Sequence, residues 1–90
     1  MTDKEEITTA VVTRCRQLLE TEIDHPGLVI GRCNGANKSS RKFFRKYFKD
    51  DPDKAKKINL CIGQLEEMGG FCNCEVIYNV VPQLQEQKLL

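Results

Sequence analysis

The stretch of sequence that decides the predicted fold is residues 69–80, which read Gly-Gly-Phe-Cys-Asn-Cys-Glu-Val-Ile-Tyr-Asn-Val. The two glycines end the helical pattern that precedes them, because glycine readily adopts the left-handed backbone that closes a helix. After them the pattern alternates, and successive side chains of a strand point to opposite faces of a sheet. We therefore predict that a helix ends at Gly69 and that a strand follows it as far as Val80.

Upstream of this stretch, the spacing of apolar residues predicts three helices and one further strand. Apolar residues recur at helical spacing over about 3–22, 38–49 and 52–68, as in helices with one buried face. Residues 28–33 read as a short strand, because they are rich in β-branched side chains and too few for a stable helix. The predicted order is helix, strand, helix, helix, strand.

These elements predict an α+β fold, with three helices packed on a two-stranded sheet that pairs residues 28–33 with 74–80. A chain of 90 residues forms one domain. We place that domain at residues 1–82 and predict a polar C-terminal tail over 83–90. Because two strands alone are marginally stable, the helices must cover the sheet or self-association must extend it.

The composition argues against a disordered, secreted or membrane protein. The chain is 40% hydrophobic and 30% charged, with a formal net charge of +1, whereas disordered chains have fewer apolar residues or a larger net charge. Its first residues lack the basic and apolar regions of a signal peptide, and no apolar run approaches the roughly 20 residues that cross a bilayer. We predict a cytoplasmic protein whose five cysteines are thiols or metal ligands.

Cys72 and Cys74 are the first candidates for chemistry. Residues two apart on a strand face the same way, so the two thiolates could bind one zinc ion. Cys33, at the end of the other predicted strand, is the best third ligand, and His25, water or another subunit would supply the fourth. The spacing lacks the paired Cys-x-x-Cys motifs of common zinc domains. One alternative is that all five cysteines are reduced and mostly buried thiols, and another is that they have a redox role.

The predicted helix over 38–49 carries a stripe of positive charge. Its aromatic residues form an apolar face, and the cations of the exposed stripe are Lys42, Arg45, Lys46 and Lys49. Like charges at spacings of three and four residues repel one another unless an anion compensates them. A nucleic-acid backbone, another polyanion, the acidic N-terminal helix or water could provide that compensation.

The sequence favours a non-catalytic protein over an enzyme. It contains no phosphate-binding loop, nucleophile elbow or helical His-Glu-x-x-His pair. We expect a small interaction or regulatory module that self-associates or binds a protein partner. Nucleic-acid or other polyanion binding through residues 38–49 is one alternative, and zinc binding is the other.

The closing motif resembles that of a small bacterial family, domain of unknown function 2695. The family pattern ends in Gly-Gly-aromatic-Cys-Asp-Cys-Glu-Val, which residues 69–76 match except that Asn73 replaces the aspartate. It opens with Cys-Asp-His before a basic, aromatic helix, and residues 33–35 stand at that position with Gly35 in place of the histidine. The resemblance spans about 33–80 and implies a shared fold rather than an activity. If the family site is a Cys-x-His plus Cys-x-Cys metal centre, this chain lacks one of its ligands.

Overall fold

The computed structural model describes residues 3–29 and 37–90, which consist of helices and connecting turns. The helices are α1 (Asp3–Asp24), α2 (Lys38–Tyr47), α3 (Lys54–Glu67), α4 (Asn73–Glu75), a π-helical turn (Val76–Val80) and α5 (Val81–Glu86). The last three follow one another without a break. No helix in the described part of the chain has both the length and the apolarity that a bilayer crossing requires.

The predicted α+β fold is wrong, because the described residues are all-α and 74% of them are helical. The strand predicted to follow the two glycines is helical from Asn73 to Val80, which includes all of 74–80, the part predicted to pair in the sheet. Of the other predicted strand, 28–33, only Leu28 and Val29 lie within the described residues, where they form a bend. The described ranges therefore contain no sheet, and self-association to extend a sheet loses its basis.

Residues 76–84 carry two apolar patterns at once, and this explains the error. Val76 and Val80 fit a strand that alternates, but they are also one helical turn apart. Together with Val81 and Leu84 they are buried at the spacing of one helical face. Tyr78, which the alternation would place beside the two valines, is 61% exposed. Packing of the helical face therefore outweighs the strand preference of these β-branched residues.

Pro82 accounts for the wide turn before α5. A proline has no amide hydrogen, so it cannot donate to the carbonyl of Tyr78 four residues earlier, and its ring crowds that carbonyl. The π-helical turn widens the backbone immediately before this point. The side chain of Gln83 then donates to the carbonyls of Asn79 and Met68, at 2.8 Å each, which ties the turn to the end of α3.

The core lies where α1, α2, α3 and the π-helical turn meet. Its fully buried side chains include Val11, Cys15, Phe44, Cys61, Leu65, Val76 and Val80. Burial raises the pKa of the Cys15 and Cys61 thiols to about 12. Both thiols are therefore protonated at neutral pH and act as small apolar core residues. Leu84, within the segment predicted as a polar tail, is also buried in this core.

Gly70 allows the chain to turn back onto the core after α3. Gly69 has a φ of 88°, and the amide of Gly70 donates to the Leu65 carbonyl at 2.7 Å. A Cβ at Gly70 would lie 2.7 Å from Val80 Cγ2 and 2.9 Å from Val76 Cγ2. Carbon atoms in favourable contact stand about 3.5–4.0 Å apart. The valines of the π-helical turn therefore pack directly against bare backbone.

Lys57 ties α3 to the first turns of α1 through a partly buried ion pair with Glu6. Its Nζ lies 2.5 Å from a Glu6 carboxylate oxygen and 2.5 Å from an Asp51 carboxylate oxygen, and the residue is 8% exposed. Hydrogen bonds to Asp51 and Glu6 raise the pKa of Lys57. The hydrogen bond from Lys57 in turn lowers the pKa of Asp51.

Gly70→Ala should destabilise the fold by about 1–3 kcal/mol, because the methyl group overpacks a filled site. Gly63→Ala on α3 is the matched control, since its added Cβ has nothing within 4 Å. The control should raise stability by up to about 1 kcal/mol, because alanine favours a helix interior. Urea denaturation followed by circular dichroism measures both. Equal unfolding midpoints for Gly70→Ala and wild type would contradict the close packing.

Asp51→Asn should lower the urea midpoint at pH 7 and make that midpoint less sensitive to acid. A carboxylate with a lowered folded pKa stabilises the protein above its unfolded pKa of about 3.9. That contribution disappears as the pH falls through the lower folded pKa. Asp50→Asn is the control, because Asp50 is exposed and outside the ion pairs of the described residues. If the urea midpoint depended on pH identically in the two variants, the ion pair between Lys57 and Asp51 would not contribute to stability.

Candidate anion-binding surface

Helix α2 packs an aromatic face on the core and leaves its opposite face in solvent. Ser40 and Phe44 are fully buried, and Phe48, which follows the helix, is 5% exposed. These three residues are spaced by four, so they lie along one side of the helix and its continuation. The side facing away from them is the one that carries the cations.

The four predicted cations lie on this solvent-facing side. Lys42, Arg45 and Lys46 belong to α2, Lys49 follows in the next turn, and all four are exposed. None of them forms an ion pair with a carboxylate in the described ranges. The sequence left open whether the acidic α1 neutralises these cations. In this part of the chain it does not.

Two aromatic rings border the cationic stripe. Phe43 and Tyr47 stack with ring centroids 6.2 Å apart and an interplanar angle of 27°, and Tyr47 is 41% exposed. Exposed rings beside cations are typical of single-stranded nucleic-acid sites, where bases stack on the rings and the cations contact phosphates.

A buried arginine lies at the start of α2, and its hydrogen-bond partners are neutral. Arg14 on α1 is 5% exposed. Its Nε donates to Ser40 Oγ and its Nη2 to Ser39 Oγ, both at 3.0 Å, and Nη1 donates to Gln17 Oε1. The guanidinium also lies 5.2 Å from the ring centroid of Phe43. Burial lowers the pKa of Arg14 to about 10, so the side chain stays charged at neutral pH.

No carboxylate of the protein neutralises this arginine. All 13 Asp and Glu residues lie within the described ranges, and no salt bridge there involves Arg14. Asn73 Oδ1 accepts a long hydrogen bond from Arg14 Nη2 at 3.5 Å, and Asn73 Nδ2 donates to Ser39 Oγ at 2.7 Å. Asn73 thus faces the guanidinium with a neutral amide.

The sequence indicates that Arg14 is buried, but Arg14 belongs to no functional motif and was therefore not predicted as a site residue. Arg14 stands three residues after Val11 and four before Leu18, which places it on the buried stripe of α1. A charged residue on such a stripe is rarely buried without a partner. The identities of those partners, Ser39 and Asn73, depend on the packing of distant helices.

The structure places Cys72 and Cys74 at the start of α4 and not on a strand. Cys72 is the buried residue that precedes α4, and its Sγ lies 3.5 Å from Glu75 Oε1. Cys74 is half-buried, with its Sγ 4.0 Å from the Val29 carbonyl oxygen. The strand geometry that argued for converging thiolates is therefore wrong, and Cys33 lies outside the described residues. No three His, Cys, Asp or Glu side chains within 3–29 and 37–90 are grouped to hold a metal ion.

A family model matches part of the chain. Residues 28–79, more than half of the sequence, match the model described as a protein of unknown function, DUF2695. The matched region includes α2, α3 and α4, whereas Arg14 lies before it. Neither the curated proteins nor the solved structures give a significant match.

Proposed function

We propose that this chain, which belongs to the DUF2695 family of proteins of unknown function, is a small non-catalytic module that binds nucleic acid through α2. The observation that carries the proposal is the exposed stripe of Lys42, Arg45, Lys46 and Lys49, which no carboxylate in the described ranges neutralises. The repulsion along this stripe is relieved when phosphates bind to it.

The small net charge of the chain is compatible with this function, because affinity depends on how charge is distributed. Residues 37–49 contain six Lys or Arg and no Asp or Glu, and acidic residues predominate in α1 and at 50–53. A concentrated stripe of cations is the electrostatic footprint of a nucleic-acid interface. Each phosphate contact then adds affinity by releasing condensed counterions.

The exposed ring of Tyr47, which stacks on the half-buried Phe43, favours a single strand over a duplex. Bases in a duplex are stacked on one another, whereas unpaired bases can stack on protein aromatics. The exposed Tyr47 lies one residue from Lys46, so one nucleotide could contact a ring and a cation together. We therefore expect tighter binding to single-stranded oligonucleotides than to duplexes of the same length.

The double substitution Lys42→Gln with Lys46→Gln should weaken binding of a mixed-sequence single-stranded oligonucleotide. The slope of log affinity against log salt should fall by about 1.4, since each contact to a single strand contributes about 0.7. Fluorescence anisotropy at several salt concentrations measures this slope. Lys4→Gln with Lys56→Gln removes the same charge from exposed positions elsewhere and should leave the slope nearly unchanged.

Three outcomes would contradict the nucleic-acid assignment. Failure of the wild type to bind DNA and RNA at low salt would end it. An equal effect of the control pair would show that only net charge matters. Equal affinity for poly-glutamate would reassign the surface to an acidic protein partner, because that polymer supplies charge without bases.

Zinc binding is the second candidate, and the anchoring of the chain on either side of residues 30–36 favours it. The Val29 carbonyl oxygen lies 4.0 Å from Cys74 Sγ, and Asn37 Nδ2 donates to the Gly70 carbonyl at 2.9 Å. The chain between these two anchors contains Cys33. Thiolates select soft or borderline ions such as zinc. We propose Cys33, Cys72 and Cys74 as ligands.

Protein purified without a metal-affinity tag should then contain about one zinc per chain, and a chelator should lower its melting temperature. Cys33→Ser and Cys74→Ser should each lose the metal. Cys61→Ala creates a cavity in the core, so this variant should be less stable and should still bind the metal. Elemental analysis and thermal melting measure both effects. Less than about a tenth of an equivalent of zinc in the wild type, with no effect of the chelator, would leave these cysteines as plain thiols.

We propose the cytoplasm as the compartment in which the module works. Cys15 and Cys61 are buried thiols that take part in no disulfide. The cytosol keeps such thiols reduced, whereas small secreted domains generally join their cysteines in disulfides.

A further inference from the structure

We propose that Arg14, Ser39 and Asn73 form a binding site for one phosphoryl group at the start of α2. This site is distinct from the stripe of α2 cations and does not require that stripe to bind nucleic acid. Its basis is a buried positive charge that the protein leaves without a counter-ion.

The unneutralised charge of Arg14 is the first step of the argument. The residue is 5% exposed, and its partners are two serine hydroxyls, two side-chain amides and an aromatic ring. Removing a charge from water is costly unless it is paired and hydrogen-bonded, and these neutral partners supply only the hydrogen bonds. An anion that reaches the guanidinium would gain charge-assisted bonds, which are about twice as strong as neutral ones.

Ser39 and Asn73 connect this buried charge to the surface. Ser39 is exposed and Asn73 is half-buried. Ser39 Oγ accepts hydrogen bonds from Arg14 Nη2 at 3.0 Å and from Asn73 Nδ2 at 2.7 Å. These two bonds occupy both lone pairs of the hydroxyl oxygen, so its own hydrogen is left to donate. The second hydrogen of Asn73 Nδ2 is also left to donate. The Ser39 hydroxyl and the Asn73 amide therefore form a rim of two donors beside the guanidinium.

The surroundings of this rim are mainly positive. Lys38 and Lys42 lie one residue before and three residues after Ser39, and both are exposed. Asn37 makes no side-chain cap on α2, so the first amides of this ten-residue helix have no such partner. The carboxylate of Glu75, which is close in sequence to Asn73, accepts a contact from Cys72 Sγ instead.

A phosphoryl group suits this arrangement better than a carboxylate does. The hydrogens left to donate belong to three different groups, Ser39 Oγ, Asn73 Nδ2 and Arg14 Nη1, and a phosphate monoester offers three oxygens with a charge near −2. A carboxylate has two oxygens and a single charge. The Nε and Nη2 hydrogens of Arg14 already bond protein groups, so the guanidinium attracts the anion mainly by its charge, and this attraction is stronger for the more highly charged phosphate.

Asn73→Asp tests the site while keeping Arg14 in place. The new carboxylate should pair with the guanidinium, raise the melting temperature without phosphate, and weaken the binding of inorganic phosphate by about tenfold or more. NMR titration of the Arg14 Nε–H and Asn73 side-chain amide signals, at constant ionic strength with chloride as reference, measures the wild-type affinity. Backbone amide signals of residues 38–40 measure it in the variant. Gln85→Glu makes the same change of charge at an exposed position of α5 and should leave both quantities unchanged.

Ser39→Ala provides a second variant, which preserves the charge of the site. It removes the acceptor of Arg14 Nη2 and Asn73 Nδ2 and should lower the melting temperature by a few degrees. Loss of its donor should also weaken phosphate binding severalfold at a temperature where the variant is fully folded. The proposal is overturned if phosphate shifts no signal beyond the chloride reference, or if Asn73→Asp binds phosphate as tightly as Gln85→Glu does. Acetate that competes as well as phosphate would also overturn it.

Oligonucleotides distinguish two sources of the phosphoryl group, a terminal phosphate and a backbone phosphate. If the site takes a terminal phosphate, a 5′-phosphorylated strand should bind more tightly than its 5′-hydroxyl counterpart, and Asn73→Asp should remove the difference. If it takes a backbone phosphate, Asn73→Asp should instead lower the salt slope for both strands by about 0.7. Binding of inorganic phosphate by a protein that binds neither strand would leave this site intact while ending the nucleic-acid proposal.

Discussion

The contact between the π-helical turn and the bare backbone of Gly70 is the constraint on which the rest of the structure depends. It brings Val76 and Val80 within contact distance of the end of α3, which leaves no room for a side chain at Gly70. The Gly70 carbonyl in turn accepts a hydrogen bond from Asn37, the residue that precedes α2. One close approach therefore positions both α4 and the first turn of α2, and so brings Asn73 beside Ser39.

The protein has exposed positive charges on α2 and a buried positive charge at Arg14, and the two kinds differ in their free-energy cost. The exposed cations of α2 repel one another by only a few tenths of a kcal/mol per pair, because water screens them. Arg14 is buried, where an unpaired charge costs several kcal/mol. A bound anion therefore gains more free energy at Arg14 than at any single residue of the stripe. The stripe is suited to sequence-independent attraction, and Arg14 is suited to holding one group in a fixed position.

Helix α1 lies entirely before the region that matches the family model, yet its side chains form polar contacts with residues of that region. Glu6 pairs with Lys57 of α3, and Arg14 contacts Ser39 of α2. These contacts join α1 to the matched region by charge as well as by the apolar core.

The sequence by itself determined the three long helices, the exposed cations of α2 and the family, because helical period, charge spacing and a local motif are written in neighbouring residues. It could not determine the state of residues 73–80, in which Val76 and Val80 share one face in either a strand or a helix. Only contact with Gly70 and α3 selected the helix, since that form buries Val76, Val80, Val81 and Leu84 together. The pairing of Arg14 with Asn73 was also decided by tertiary structure, because 59 residues separate the two in sequence and no local pattern links them.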